Sequence, residues 1–302
     1  MSTFDQIYRR NTSSQTSFSL PTTNGLVTTI RLSDSNFDID TKDWTGQSPL
    51  SLAAQNGHET VVRLLLERKA DMESKHEQYF CKTTLSLAAD NGHEHVVKVL
   101  LESKAHIDAT DTMNRTSLSW AAERGDRAVA ELLLKRNGNT EHRDYDGNTP
   151  LALAVMYGPE AIVNLLLEEN ANIDSEASEG QTPLRIAANH GHEHVVRLLI
   201  EHNANMPAKV FINEGLTLLT WTVEREYEQL FEVLFERNAS KQSKDNNDQT
   251  PLSLAAEKGN LVMAKQLLER NADVHFKDKY GRRSLLLTTK NRHESVVKLL
   301  LE

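Results

Sequence analysis

Histidine-rich stretches are the first residues of this chain with chemistry in reach. His190-Gly191-His192-Glu193-His194 and His93-Glu94-His95 carry the imidazoles and carboxylates a zinc site uses. Their spacing opposes such a site. Residues two apart on a helix point to different sides, whereas a helical zinc pair needs i and i+4. His58, His93, His192 and His293 also recur at one position of a repeating pattern. That makes them packing or hydrogen-bonding elements, and no metal ligand is expected. Cys81 stands beside Lys82 but has no paired general base, so it reads as a lone surface thiol. Paired acids such as Glu168-Glu169 read as a solvated helix face. No glycine-rich phosphate loop, nucleophile elbow or kinase signature is present. The expectation is a non-enzyme with no catalytic residue and no cofactor.

The elements around those histidines are more informative. Gln181 to Asn205 specifies two short antiparallel helices. Thr182 can cap orphan amides, and Pro183 follows at the first helical position, where a missing N–H costs nothing. Leu184, Ile186, Ala187 and Ala188 give a helix slim on its packing side. Gly191 supplies the positive φ of a tight turn. Val195, Val196, Leu198, Leu199 and Ile200 then form a second helix with a broad apolar stripe, ended by Asn203 in the left-handed region. A hairpin of this kind exposes too much apolar surface to stand alone and needs copies on both sides.

The copies are present. The leucine of the Thr-Pro-Leu element, taken as a register mark, recurs as Leu50, Leu85, Leu118, Leu151, Leu184, Leu219, Leu252 and Leu285, at spacings of 35, 33, 33, 33, 35, 33 and 33. A period of 33 opened by Thr-Pro-Leu resembles the ankyrin repeat. The resemblance implies an all-α solenoid with short β-hairpin loops, about eight helix pairs in a stack that binds other proteins. The Thr-Pro-Leu-Ser-Leu-Ala-Ala wording is similar to the long ankyrin arrays of filamentous fungi. Ser51, Ser86, Ser119 and Ser253 stand where many members have histidine, which puts that histidine's hydrogen bond in doubt. Asn137, Asn170, Asn203, Asn238 and Asn271, with Lys69 and Lys104, fill the cap position the family usually gives to glycine.

Bulk properties narrow the function classes. A formal charge of −9 opposes a general nucleic-acid binder. No apolar run is long enough to cross a bilayer, and the N-terminus lacks the apolar stretch of a secretory signal. One cysteine suits a reducing compartment, so cytosol or nucleus is the expected location. Residues 1–25, rich in Ser and Thr, read as a disordered lead-in, 26–42 as a degenerate capping half-repeat, and 43–302 as the array, its last repeat incomplete. Repeat six is the poorest copy: Thr217-Leu218-Leu219 lacks proline, Thr222-Val223 replaces the small pair, and Glu226 stands where glycine belongs. It reads as drift or as a weak seam. At the other end Leu285, Leu286, Leu287 and Val297 would leave an apolar face uncovered, which suggests one part of a longer protein. Trp120 and Trp221 read as packing residues.

Carried over from the family, partner contacts fall on hairpin tips and on the exposed face of the first helix. The candidates are Trp44, Gln55, Tyr79, Phe80, Met113, Arg115, Tyr145, Met156, Tyr157, Phe211 and Tyr280. Aromatic and methionine side chains among polar neighbours are the composition of interface cores. The expected function is a protein-recognition scaffold, monomeric or within a longer chain. The alternative is the sensor region of a larger signalling NTPase or other enzyme.

Overall fold

The computed structural model describes residues 38–43, 46–74, 81–205, 216–237 and 243–302. Among them are sixteen α-helices in eight pairs. The pairs are α1 (Pro49–Gln55) with α2 (Glu59–Glu67), α3 (Thr84–Asp90) with α4 (Glu94–Glu102), α5 (Ser117–Arg124) with α6 (Arg127–Leu134), and α7 (Pro150–Tyr157) with α8 (Glu160–Glu168). They continue as α9 (Pro183–Asn189) with α10 (Glu193–Glu201), α11 (Leu218–Glu224) with α12 (Glu228–Glu236), α13 (Pro251–Lys258) with α14 (Leu261–Glu269), and α15 (Ser284–Asn291) with α16 (Glu294–Leu301). Repeat eight thus has both of its helices.

Each first helix begins the same way. Ser48, Thr83, Thr116, Thr149, Thr182, Thr217 and Thr250 hold extended backbone, and each side-chain oxygen accepts the N–H three residues on at 3.1–3.4 Å. In three of the seven the residue three on is a serine or threonine that closes the box in return: Thr116/Ser119, Thr217/Thr220 and Thr250/Ser253. Serine in the place of the family's histidine therefore has a structural task. The turn to the second helix needs a left-handed residue, which Gly57, Gly92, Gly125, Gly158, Gly191 and Gly259 supply. At Gly57 a β-carbon would also lie 2.7 Å from His93 Nδ1, so both backbone angle and space require glycine. Glu226 and Arg292 adopt the same angle, with φ of 59° and 61°.

Second helices end as the sequence predicts. Lys69, Lys104, Asn137, Asn170, Asn203 and Asn271 are left-handed, with φ of 60–69°. The next residue's N–H then returns to the carbonyl of a buried leucine, as in Ala105 to Leu100 at 3.0 Å and Ala171 to Leu166 at 2.9 Å. This is the Schellman closure. Asn238 lies outside the described residues. The expected β-hairpin loops are reduced to tight turns with no strand among the described residues; one isolated antiparallel bridge joins Ala177 and Gln181.

The chain divides into two compact units, Met1–Asn172 and Ile173–Glu302. The division falls between repeats four and five rather than at repeat six. In the first unit α1, α3, α5 and α7 pack in succession, as do α2, α4, α6 and α8. In the second, α11 packs on α13 and α13 on α15, with α10 on α12 and α14 on α16. The register leucines from Leu50 to Leu252 are buried, as are Trp120 and Trp221. Leu285 is not: it is 39% exposed and Leu286 54% exposed, whereas Leu287, expected on the same bare face, is fully buried. Repeat six's threonines are accommodated locally. Thr222 donates its hydroxyl proton to the Leu219 carbonyl at 2.8 Å, and Thr288 of repeat eight does the same to Leu285 at 2.9 Å. A hydroxyl paired in this way enters a core at little cost.

Candidate partner-recognition surface

The hairpin tips are shaped by a buried aspartate seven residues before the register leucine. Asp111 Oδ1 accepts the N–H groups of Met113 and Arg115 at 2.8 and 2.9 Å. Asp144 takes Asp146 and Asn148 at 3.0 and 2.8 Å, and Asp245 takes Asn247 and Gln249 at 2.8 and 2.7 Å. Asp278 takes Tyr280 and Arg282 at 2.9 and 2.8 Å. Two amides on one carboxylate fold the loop back and leave the intervening side chains outward. Burial raises the Asp245 pKa above the ordinary carboxylate value against its two amide bonds. Burial pushes Asp278 up too, but the backbone and side-chain hydrogen bonds of Arg282 carry it below that value.

A second pattern links each tip to its own first helix across eight residues. Gln47 bonds Gln55, Lys82 Nζ meets Asp90 Oδ2 at 2.7 Å, and Arg115 pairs with Glu123. Gln181 and Asn189 are 3.4 Å apart, and Gln249 bonds Glu257. These repeats close their own polar groups. In repeat four the pattern changes: Asn148 turns to Asp144 at 3.3 Å, and the helix position holds Met156.

Of the predicted site residues, Trp44, Tyr79, Phe80 and Phe211 lie outside the described residues. Tyr145 is 72% exposed and Tyr157 55% exposed, both on repeat four, with Met156 half-buried beside Tyr157. The Tyr145 amide donates to the Met113 carbonyl at 3.2 Å, joining the tips of repeats three and four. Tyr280, 65% exposed, belongs to the second unit. Two candidates face inward more than expected. Gln55 is half-buried, its side chain taken by Gln47 and its carbonyl by His93 Nε2 at 2.9 Å. Arg115 binds Glu123, reaches Asp144 at 3.4 Å and lies 5.0 Å from the Trp120 ring centre, with a side chain only 15% exposed. It braces the tips and presents little to a partner.

Residues that sequence reasoning missed form that brace. Trp120 donates Nε1–H to Asp111 Oδ2 at 2.9 Å, and buried Lys82 sits 3.3 Å above its ring. Arg124 crosses to Asp90 at 2.8 Å; that hydrogen bond and charge raise its pKa, Glu123 and Tyr157 add to the effect, and burial opposes it. The signal was present as a basic residue three before the register leucine and an acid eight later. Two of the register histidines hold backbone: His293 Nε2 meets the Glu257 carbonyl at 3.0 Å, as His93 does Gln55. Among the described residues no helix is long and apolar enough to cross a membrane.

The helix pairs, left-handed caps and hairpin tips define a helical-repeat protein. A model of the ankyrin repeats matches residues 22–111, 85–177, 169–245 and 238–302, and the chain belongs to that family. No curated protein matches it. Ankyrin repeats are generally protein–protein interaction modules and typically non-catalytic.

Proposed function

We propose that this chain recognises a protein partner through a track centred on repeat four. One observation carries the reading. Met156 stands where repeats one, two, three, five and seven close a polar pair, and the exposed rings of Tyr145 and Tyr157 share its repeat. A methionine and two outward tyrosines in one repeat, its tip bonded to that of Met113, have the composition of an interface core rimmed by polar groups. The acidic balance and single cysteine fit a partner met in the cytosol or nucleus.

The test compares the intact chain with a Tyr145→Ala, Met156→Ala, Tyr157→Ala variant in affinity capture from the source cell. Loss of buried aromatic anchors typically costs more than 2 kcal/mol, so about thirty-fold or greater depletion of the specific partner is expected. Helical content by circular dichroism should be unchanged. Equal recovery of every protein by the two baits would refute the assignment.

A further inference from the structure

Repeat eight reverses the charge of the rest of the chain. Residues 270–302 hold eight lysines and arginines against four acids, in a molecule of formal charge −9. The two positions that close a polar pair elsewhere are here Arg282 and Lys290. Arg282 turns to Asp278, with Nε 2.7 Å from Oδ2, while exposed Lys290 has no ion pair among the described residues. Arg283 occupies the cap position held by serine or threonine in the seven other repeats, and its side chain makes no cap hydrogen bond. Arg292 is exposed at the turn. Tyr280 stands among them, its ring centre 5.0 Å from Lys279 Nζ and 4.8 Å from Arg282 Cζ.

Lys279 lies in the field of Asp245, but Arg283, Lys290 and Arg292 have no ion pair among the described residues; neighbouring cations repel one another, and an anionic ligand relieves that repulsion. A duplex or an anionic membrane would bring a broad negative surface against the acidic remainder of the chain. A short segment engages repeat eight alone, because charges beyond a Debye length of about 8 Å are screened. We propose that the tip and first helix of repeat eight dock an acidic segment of a protein partner. Its carboxylates pair with Lys279, Arg283, Lys290 and Arg292, and an apolar side chain packs on Tyr280. The inference rests on the protein-recognition reading but uses none of the repeat-four residues.

Fluorescence anisotropy of the full chain with a labelled Asp/Glu peptide carrying one phenylalanine tests it. Saturable binding is expected, weakening about ten-fold or more between roughly 50 and 300 mM salt. A Lys279→Glu, Lys290→Glu variant, folded by circular dichroism, should lose about ten-fold or more, and Lys290→Gln a smaller part. The Tyr145→Ala, Met156→Ala, Tyr157→Ala variant should bind the peptide as the intact chain does, which separates this surface from the repeat-four track. The proposal is overturned by no saturable binding, by equal affinity in the charge-reversed variant, by loss in the repeat-four variant, or by tighter binding of duplex DNA or phosphatidylserine vesicles.

Discussion

Lysine is a poor occupant of the left-handed region, where its β-carbon crowds the carbonyl at a cost of about 1–2 kcal/mol. Lys104 sits there with φ of 69°, doing a glycine's work at the end of α4. Lys104→Gly should therefore raise the melting temperature, by up to about 1 kcal/mol of stability after the added freedom of the unfolded chain is offset. A fall would mean that the lysine stem contributes packing the backbone angle conceals. The aspartates give a pH signature with opposite signs. Asp278, held below its ordinary pKa, contributes stability that is complete above the unfolded-state value and lost as pH falls through the folded one. Asp245, held above, contributes stability present at low pH and lost as pH rises through its folded value. The neutral Gln249 replaces Arg282's charge in that hairpin. Carboxyl titration by NMR in an Arg282→Gln variant should move Asp278 upward toward Asp245; an unmoved Asp278 would show that the amide bonds alone depress it.

Thr84 is an informative misfit among the helices. Its counterparts Pro49, Pro150, Pro183 and Pro251 open their helices, while its own hydroxyl is buried without a hydrogen-bond partner. The preceding Thr83 already has φ −72° and ψ 163°, the backbone a following proline demands. Thr84→Pro should stabilise the protein by about 0.5–1 kcal/mol, read as a higher urea midpoint with an unchanged slope. These helices were legible in sequence because their signals are local. A capping threonine, a positive-φ glycine and a terminal asparagine each act within one turn. The buried aspartate escaped notice because an Asp three residues before a Gly, Asn or Asp reads as an ordinary surface turn, and nothing local reveals that the carboxylate is enclosed. The pairs eight residues apart escaped because helix periodicity links neighbours three and four apart, whereas these reach across a helix start. Arg115 reads as outward for the same reason, its acceptor Glu123 lying eight residues on and Asp144 in the next repeat.

At the scale of the whole chain, helix pairs that contact mainly their neighbours share stability through nearest-neighbour interfaces, so two compact units need not unfold together. The second unit carries Glu226 and Arg292 in left-handed turns and threonines in its core. It is expected to unfold first. In a Trp44→Phe background, Trp120 reports the first unit and Trp221 the second; urea titration followed through each alone should give a lower midpoint for Trp221. Coincident midpoints would mean one cooperative block. The self-closing pairs between tip and helix carry a wider consequence. Because repeats one, two, three, five and seven each close a different polar pair there, the stack accepts many pairs at that place, and recognition becomes portable between copies. Exchanging Glu257 and Lys258 for methionine and tyrosine would transplant the repeat-four signature to repeat seven, giving up the Gln249–Glu257 bond and the Lys258–Glu224 ion pair, so new specificities are written two letters at a time.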